Sequence, residues 1–197
     1  MIEYLTKKEL KVLYPEYIGA PSVTQVLKDP RQEAFFKKAM KDKESCLYKA
    51  TIAGTKAHTA LETGISKDEM TEAVLDCYKS TIGCDIDETI GKEKTVVHPL
   101  VYNGRFDAVV EFQGEVHLID YKKTNKKKTP SSMKKYFQQL MAYKIAHEFL
   151  YPQLMIAKVS IFNIFGVTPD SVDSKVTTLT NDEMRMYLDM FTTRLVG

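Results

Sequence analysis

A two-residue turn, Gln113-Gly114, joins two segments of alternating side chains, residues 104–112 and 115–123. Two such segments linked by turn-forming residues are typical of an antiparallel β-hairpin. Because a two-residue loop fixes which residues face each other across the hairpin, Val109 should lie opposite Leu118. The sequence therefore predicts both a hairpin and its register.

The predicted register brings three charged side chains together. Asp107 lies opposite Asp120, and Lys122, two residues further along the second strand, shares their face of the sheet. Opposed carboxylates repel unless a cation separates them, and oxygen ligands at this spacing suit Mg²⁺ or Mn²⁺. A lysine beside such a metal could help to deprotonate a bound water, as metal-assisted phosphodiester hydrolysis requires. The same residues also fit a surface salt bridge in which Lys122 neutralises both acids.

Helical and alternating patterns follow each other along the rest of the chain. Capping signals, in which serine or threonine precedes glutamate by three residues, occur at Thr6, Ser66 and Thr180, and Asp29-Pro30 is a related signal. The patterns predict helices at 7–14, 22–28, 30–43, 45–63, 67–82, 131–149 and 181–195, and strands at 93–99, 104–112, 115–123 and 157–165. The segment 83–94 is predicted to be a loop, and the residues after 165 are predicted to be rich in turns.

The charge of the chain is balanced overall but uneven along the sequence. The 197 residues include 28 basic and 26 acidic ones, a net charge of +2, which excludes indiscriminate nucleic-acid binding by the whole surface. One group of basic residues stands out, at Lys122, Lys123, Lys126, Lys127, Lys128, Lys134 and Lys135. Any basic function is therefore expected to be local.

Three scattered cysteines, Cys46, Cys77 and Cys84, have neither metal-site nor disulfide spacing. The N-terminus resembles neither a signal peptide nor a transit peptide, and no segment has the length and apolarity of a membrane span. We therefore expect a soluble intracellular protein with no membrane contact, in the cytoplasm of a bacterium or phage-infected host or in an organelle.

Further motifs surround the charged hairpin. Gly104-Arg105-Phe106-Asp107 precedes it, Asp120-Tyr121-Lys122 follows the residues HLI, and Gln139-Leu140-Met141-Ala142-Tyr143 lies on the next predicted helix. An earlier helix carries His58 and Glu62 in the segment AGTKAHTALETG. This order of histidine, aspartate, D-x-K and Q-x-x-x-Y resembles the PD-(D/E)xK nuclease superfamily, in particular its RecB-type exonuclease branch. The resemblance begins at PSVTQVLKD, a segment similar to the start of the mitochondrial genome maintenance exonuclease and its phage-encoded relatives, and runs to about residue 165.

The resemblance implies an α/β fold with a restriction-endonuclease-like core, in which helices flank a mixed central β-sheet. It implies a single nuclease domain over 1–197, with a mainly helical region at 1–92, the catalytic sheet and crossover helix at 93–165, and a C-terminal helix in 166–197. The implied activity is that of a Mg²⁺- or Mn²⁺-dependent exonuclease on single-stranded or frayed DNA ends, in replication, repair or recombination. An endonuclease of the same superfamily and a non-catalytic nucleic-acid-binding protein are the alternatives.

Site roles follow from the resemblance residue by residue. The implied metal ligands are His58, Asp107, Asp120 and the backbone carbonyl of Tyr121; Lys122 is the implied catalytic lysine, and Gln139 and Tyr143 are the implied pair beside the DNA path. Helical periodicity places Gln139 and Tyr143 together, off the apolar stripe of their helix, which would leave them available to substrate. Glu62, one turn from His58, is a candidate auxiliary residue, although glutamates on helix surfaces are usually just solvated.

The lysines after the catalytic strand have two interpretations. Lys123, Lys126, Lys127 and Lys128 could form a solvated loop, as charge runs usually do. Their position at the mouth of the predicted metal site favours contacts with DNA phosphates. Nearby aromatic residues, Tyr121, Tyr136 and Tyr143, could stack on unpaired bases if they are exposed, whereas Phe137 is expected in the core.

Two features depart from the resembled family. Ala53 stands where many members have an arginine before the Gly-Thr pair, which removes one contact to DNA or to the fold. Some relatives carry a four-cysteine iron-sulfur cluster, but the three scattered cysteines here argue against such a cluster. The other histidines, His98, His117 and His147, match no motif and are interpreted as structural or surface residues.

Overall fold

The computed structural model describes residues 2–99 and 102–196. In chain order its helices and strands are α1 (Lys7–Leu13), α2 (Pro15–Ile18), α3 (Val23–Val26), α4 (Pro30–Ala39), α5 (Cys46–Thr63), α6 (Glu69–Thr81), β1 (Ile86–Lys92), β2 (Thr95–His98), β3 (Tyr102–Arg105), β4 (Ala108–Phe112), β5 (Glu115–Thr124), α7 (Pro130–Leu150), β6 (Lys158–Phe165), β7 (Asp173–Thr178) and α8 (Asn181–Val196). Two short 3₁₀ turns, Gly83–Asp85 and Pro169–Ser171, complete the described elements.

A five-stranded mixed sheet with the order β1-β4-β5-β6-β7 forms the centre. Its neighbouring strands are antiparallel except β5 and β6, which are parallel and are connected by helix α7. Strands β2 and β3 form a separate two-stranded sheet. The predicted α/β class, with a mixed sheet flanked by helices, is confirmed.

The central hairpin has the predicted turn and register. Gln113 and Gly114 have φ values of 53° and 75°, the left-handed conformations that a two-residue hairpin turn with positive φ at both positions requires. Val109 pairs with Leu118, and Glu111 pairs with Val116. The prediction made from the turn is therefore confirmed for the whole of β4.

The strand predicted at 104–112 is interrupted, and the interruption shapes the site. Its first segment is β3, which pairs with β2, and its second segment is β4, which pairs with β5. Phe106 and Asp107 lie between the two strands; the Phe106 side chain is fully buried, and the Asp107 backbone oxygen accepts a hydrogen bond of 2.9 Å from the Glu93 backbone. Asp107 therefore stands at the point where the chain changes sheets.

Both faces of the central sheet are covered by helices. One face contributes Val109, Leu118 and Ile161 to an apolar cluster with residues of α7 and α8, among them Phe137, Leu140 and Phe191. The other face contributes Val110, Ile119 and Phe162 to a cluster with α5 and α6, among them Ala57, Leu61 and Leu75. Because the middle of β5 is buried on both faces, the apolar residues Leu118 and Ile119 stand next to each other in its sequence.

Several predicted boundaries were wrong. The segment 83–94, predicted as a loop, contains β1, and the turn-rich segment after 165 contains β7. Both are outer strands of the sheet, and β1 contains glycine and acidic residues of low β-propensity, so pairing with a neighbouring strand decides their structure. Consequently the mainly helical N-terminal region also supplies one strand of the central sheet, and the C-terminal region supplies another.

The helix starts were mostly predicted correctly. Thr6 and Glu9 form a capping box, Thr180 and Glu183 exchange the same contacts, and Asp29 caps α4. Ser66 is not the cap of α6, because Asp68 accepts the hydrogen bond from the Thr71 backbone instead. Within the described ranges, no helix combines the length and apolar character needed to cross a membrane.

Gly104 allows a close contact that a larger residue would prevent. A Cβ atom at this position would lie 2.2 Å from Cε1 of Tyr143, whose side chain is buried. We expect Gly104→Ala to lower the free energy of unfolding by about 1–3 kcal/mol, because the Tyr143 ring has little room to move in a packed core. Urea denaturation followed by circular dichroism measures this loss.

Gly54→Ala is the matched control, since nothing lies within 4 Å of a Cβ atom at that helical position. It should raise the free energy of unfolding by about 0.5–1 kcal/mol, because alanine favours a helix interior over glycine. Equal stability changes in the two variants would contradict the close contact between Gly104 and Tyr143.

Candidate active site

Asp107 links three elements at one end of the sheet. Its Oδ2 atom lies 3.0 Å from Nε2 of His58 on α5, and the same oxygen accepts a hydrogen bond of 2.8 Å from the Tyr121 backbone N–H on β5. The position of His58 follows from helix α5, where Ala57, Ala60 and Leu61 pack on the sheet. The predicted pair of His58 and Asp107 therefore lies together.

Asp120 and Lys122 form a close pair on the neighbouring strand. Lys122 Nζ lies 2.6 Å from each carboxylate oxygen of Asp120 and 3.3 Å from the Tyr121 carbonyl oxygen. Only Oδ1 accepts a hydrogen bond of good geometry, so Oδ2, which is buried, has no hydrogen-bond partner among the described residues. The Asp120 side chain is 4% exposed and that of Lys122 is 23% exposed. This buried carboxylate oxygen is therefore compensated by the charge of Lys122 rather than by a hydrogen bond, and a metal cation could bind it.

Two charged residues of the site were not predicted from the sequence. Glu93, just after β1, has Oε1 3.6 Å from His58 Nε2, and its Oε2 lies 2.7 Å from Arg105 Nε. His58, Glu62 and Glu93 each offer one ligand atom within 4.8 Å of the others, a grouping that could hold a metal ion. Glu93 belongs to no motif and lies where the predicted loop 83–94 meets the predicted strand 93–99, so only the fold brings it to the site.

The two aspartates differ in their acidity. Burial acts to raise the pKa of Asp107, but the hydrogen bond from His58 and the charge of Lys122 outweigh it and hold that pKa below its usual value. Burial raises the pKa of Asp120 to about 6, although Lys122 acts in the opposite direction. Asp107 is therefore the more readily ionised of the two carboxyl groups.

The pKa values of the two cationic partners, His58 and Lys122, are raised. The hydrogen bond to Asp107 raises the pKa of His58. Burial acts to lower the pKa of Lys122, but the charges of Asp120 and Asp107 outweigh it and raise that pKa. In the protein without a metal, Lys122 is accordingly protonated and paired with Asp120.

A cavity of about 390 Å³ opens over these groups, and its lining includes His58, Glu62, Arg105, Lys122 and Lys123. Thr55 and Thr59 on α5 add hydroxyl groups to the same wall. The cavity exposes polar and basic side chains beside the carboxylates. Its composition suits a charged, phosphate-bearing ligand better than an apolar one.

Gln139 and Tyr143 differ from their predicted exposure. Gln139 Nε2 donates a hydrogen bond of 2.8 Å to the Tyr143 hydroxyl, so the two side chains do lie together. However, Tyr143 is only 4% exposed and belongs to the apolar cluster under α7. The expectation that both residues lie off the packed face was wrong for Tyr143, because Gly104 leaves room for its ring in the core.

The basic run divides into two kinds of lysine. Lys123 Nζ donates to the backbone oxygens of Thr124 and Gly166, and Lys128 Nζ lies 5.4 Å from the centre of the Tyr136 ring. Lys126 and Lys127 are exposed. The second pair is therefore better placed for contacts with a ligand in solvent.

The comparisons with known proteins agree with this geometry. Residues 80–164, which contain Asp107, Asp120 and Lys122, match the PD-(D/E)XK nuclease superfamily. The superfamily resemblance predicted from the sequence is thereby confirmed over these residues.

Solved structures resemble the chain at low sequence identity. A candidate exonuclease from Eubacterium rectale is 12% identical with a TM-score of 0.57, over 99% of this chain and 86% of that chain. An alkaline exonuclease from Laribacter hongkongensis is also 12% identical, with a TM-score of 0.40, over 94% of this chain and 92% of that chain. No curated protein sequence matches the chain. The first similarity confirms the predicted restriction-endonuclease-like core.

The pair of His58 and Asp107 should make the stability of the metal-free protein depend on pH. Because the folded state raises the pKa of His58, its contribution is fully present below the pKa of an unfolded histidine and is lost as the pH rises through the higher folded value. We expect His58→Gln to cost about 1 kcal/mol of unfolding free energy at pH 5.5 and much less at pH 9. Urea denaturation in EDTA at the two pH values measures the difference. A cost that is equal at both would contradict the charged pair.

Proposed function

We propose that the protein is a metal-dependent DNA exonuclease of the RecB-type branch that hydrolyses phosphodiester bonds at single-stranded or frayed ends. The observation that carries this proposal is the cluster of Asp107, Asp120 and Lys122, in which a buried Asp120 oxygen has no hydrogen-bond partner among the described residues. A salt bridge at the surface would not bury this oxygen, so the salt-bridge interpretation is disfavoured.

The residues at the site fit a divalent cation. Hard oxygen ligands from Asp107, Asp120 and the Tyr121 carbonyl, together with the His58 imidazole, suit Mg²⁺ or Mn²⁺. Glu62 and Glu93 could add carboxylate ligands, because each offers an oxygen within 4.8 Å of a ligand atom of His58. When bound, the metal would supply Lewis-acid activation of the phosphate and lower the pKa of a water molecule.

Lys122 has the position and the environment of a proton acceptor. In the metal-free protein, the negative charges of Asp120 and Asp107 raise its pKa, whereas burial acts to lower it. A cation that balances those two charges would leave burial as the main influence, and the lysine would then release its proton more readily. Its Nζ atom, beside Asp120 and the Tyr121 carbonyl, could then take the proton from the attacking water.

DNA would approach over the basic side of the cavity. Lys126 and Lys127 are exposed at the end of β5 and are suited to contacts with phosphates flanking the scissile bond. Lys123 and Lys128 could add to the positive charge that attracts DNA, because they belong to the same basic run. Their Nζ atoms contact the protein, namely the Gly166 carbonyl and the Tyr136 ring. Gln139 would line the edge of the DNA path, and its hydrogen bond to the Tyr143 hydroxyl would hold it in place.

Linear and circular single-stranded DNA distinguish the possible activities. In Mn²⁺ or Mg²⁺, we expect the wild type to degrade end-labelled linear DNA and to leave circles intact. Lys122→Ala and Asp120→Ala should each lower the rate by at least about 100-fold, because each removes a group that acts in the chemical step. Gel analysis of timed samples measures these rates, with EDTA as the metal-free condition.

Lys79→Ala provides the control for loss of one positive charge, since Lys79 is exposed on α6, away from the cavity. It should retain the wild-type rate. Cleavage of circles would instead favour an endonuclease of the superfamily. Absence of metal-dependent cleavage in the wild type would contradict the proposed nuclease activity. A non-catalytic nucleic-acid-binding protein would then be the remaining alternative.

Metal binding should weaken in acid, because the proton and the cation compete for Asp120. With the pKa of this carboxyl at about 6, its ionised fraction falls roughly tenfold between pH 7 and pH 5, and protonation of His58 acts in the same direction. Mn²⁺ should therefore bind at least about tenfold more weakly at pH 5, as isothermal titration calorimetry can measure. Affinity that does not change with pH would exclude Asp120 and His58 as ligands.

A further inference from the structure

A second cavity, of about 560 Å³, lies beside the candidate active site, between α1, α3 and β3. We name it the α1 groove. Three cations, Lys7, Lys11 and Arg105, and three hydroxyl groups, Ser22, Thr24 and Thr95, are among its lining residues. Its described lining contains no carboxylate, so the charges of Lys7 and Lys11 are not balanced within the groove, whereas Arg105 pairs with Glu93 outside the lining.

Arg105 connects the α1 groove to the candidate active site, because it lines both cavities. Glu93 fixes its side chain through the contact of 2.7 Å to Nε, yet the side chain remains 63% exposed. Among the residues that the structure describes, Glu93 is the ion-pair partner of Arg105, and most of the side chain stays open to solvent. A chain of phosphates could therefore pass from one cavity to the other along a single arginine.

Helix α1 presents two lysines to the groove on one face. Lys7 and Lys11 are four residues apart and exposed, so they lie one above the other on the helix surface. Neither forms an ion pair with another described residue. The one acid of the helix, Glu9, contacts Thr6 in the capping box, and Lys8 lies outside the groove lining.

Helix α1, which forms one wall of the groove, is packed against the rest of the protein. Leu10 of α1 is fully buried, the Leu5 backbone N–H donates a hydrogen bond of 3.0 Å to the Tyr151 hydroxyl, and the Tyr4 hydroxyl lies 3.0 Å from His147 Nε2. These contacts tie the segment to α7. The helix that carries the lysines is consequently in place before any ligand binds, which lowers the entropy cost of binding.

We infer that the α1 groove binds the sugar-phosphate backbone of single-stranded DNA that extends from the candidate active site, an inference that rests on the proposed nuclease function. Cations and hydroxyl groups are the side chains that contact phosphates. The aromatic residue of its lining, Tyr143, is 4% exposed and offers no surface on which bases could stack. The groove therefore recognises backbone rather than sequence.

The test compares the double variant Lys7→Ala/Lys11→Ala with a control of equal charge, Lys8→Ala/Lys38→Ala. Lys38 is exposed on α4, and neither control lysine lines the groove. Fluorescence anisotropy in EDTA measures the Kd for a labelled oligothymidylate over a series of salt concentrations, without cleavage. A second measurement follows metal-dependent hydrolysis of the p-nitrophenyl ester of thymidine 5′-phosphate, which is too short to reach the groove.

If each lysine contacts one phosphate, the groove variant should bind DNA roughly 10- to 30-fold more weakly at about 0.1 M salt, and its salt slope should fall by about 1.4. The control variant should change much less. Hydrolysis of the short ester should be the same in wild type and both variants, because its single phosphate needs only the candidate active site.

Equal binding by the groove variant and the control would overturn the inference, as would a wild type that does not bind the oligonucleotide. A different result separates the two proposals. If no preparation hydrolyses the ester or DNA, but binding still depends on Lys7 and Lys11, the nuclease function fails and the α1 groove remains a site for single-stranded DNA.

Discussion

Strand β5 is paired on both sides, and this double pairing determines where the charged groups of the candidate site lie. It is antiparallel to β4 and parallel to β6, and apolar clusters cover both of its faces. A shift of one residue would move Leu118 from one cluster to the other and every neighbouring side chain with it. Asp120 and Lys122 are therefore held on one face, while Asp107 reaches the Tyr121 backbone N–H from the start of β4.

The balance of charges at the end of β5 explains how several ionisable groups can lie so close together. Asp107 accepts from His58 and from a backbone N–H, whereas Asp120 depends almost wholly on Lys122. Burial of an ionised carboxyl group is costly unless it is paired and hydrogen-bonded. Asp120 is only partly compensated, which agrees with its raised pKa and with a place for a divalent cation.

Much of this arrangement was predictable because it depends on local sequence. The Gln113-Gly114 turn fixes the hairpin register, which groups Asp107, Asp120 and Lys122, and the family resemblance adds His58 before its contact with Asp107 is known. Glu93 could not be predicted in the same way, because its position depends on an outer strand with weak β-propensity. The burial of Tyr143 was also missed, since it results from the space above Gly104 rather than from the periodicity of α7.

Glu93 shows how the fold imposes a conformation that the residue itself does not favour. Its φ of 51° lies in the left-handed region, which costs a residue with a Cβ atom about 1–2 kcal/mol. The conformation is held by the hydrogen bond from its backbone N–H to Asp107 and by the contact of its carboxylate with Arg105. These two contacts turn the same carboxylate towards His58. Glu93 therefore contacts both sides: it belongs to the cluster that could hold a metal, and it pairs with Arg105, which also lines the α1 groove.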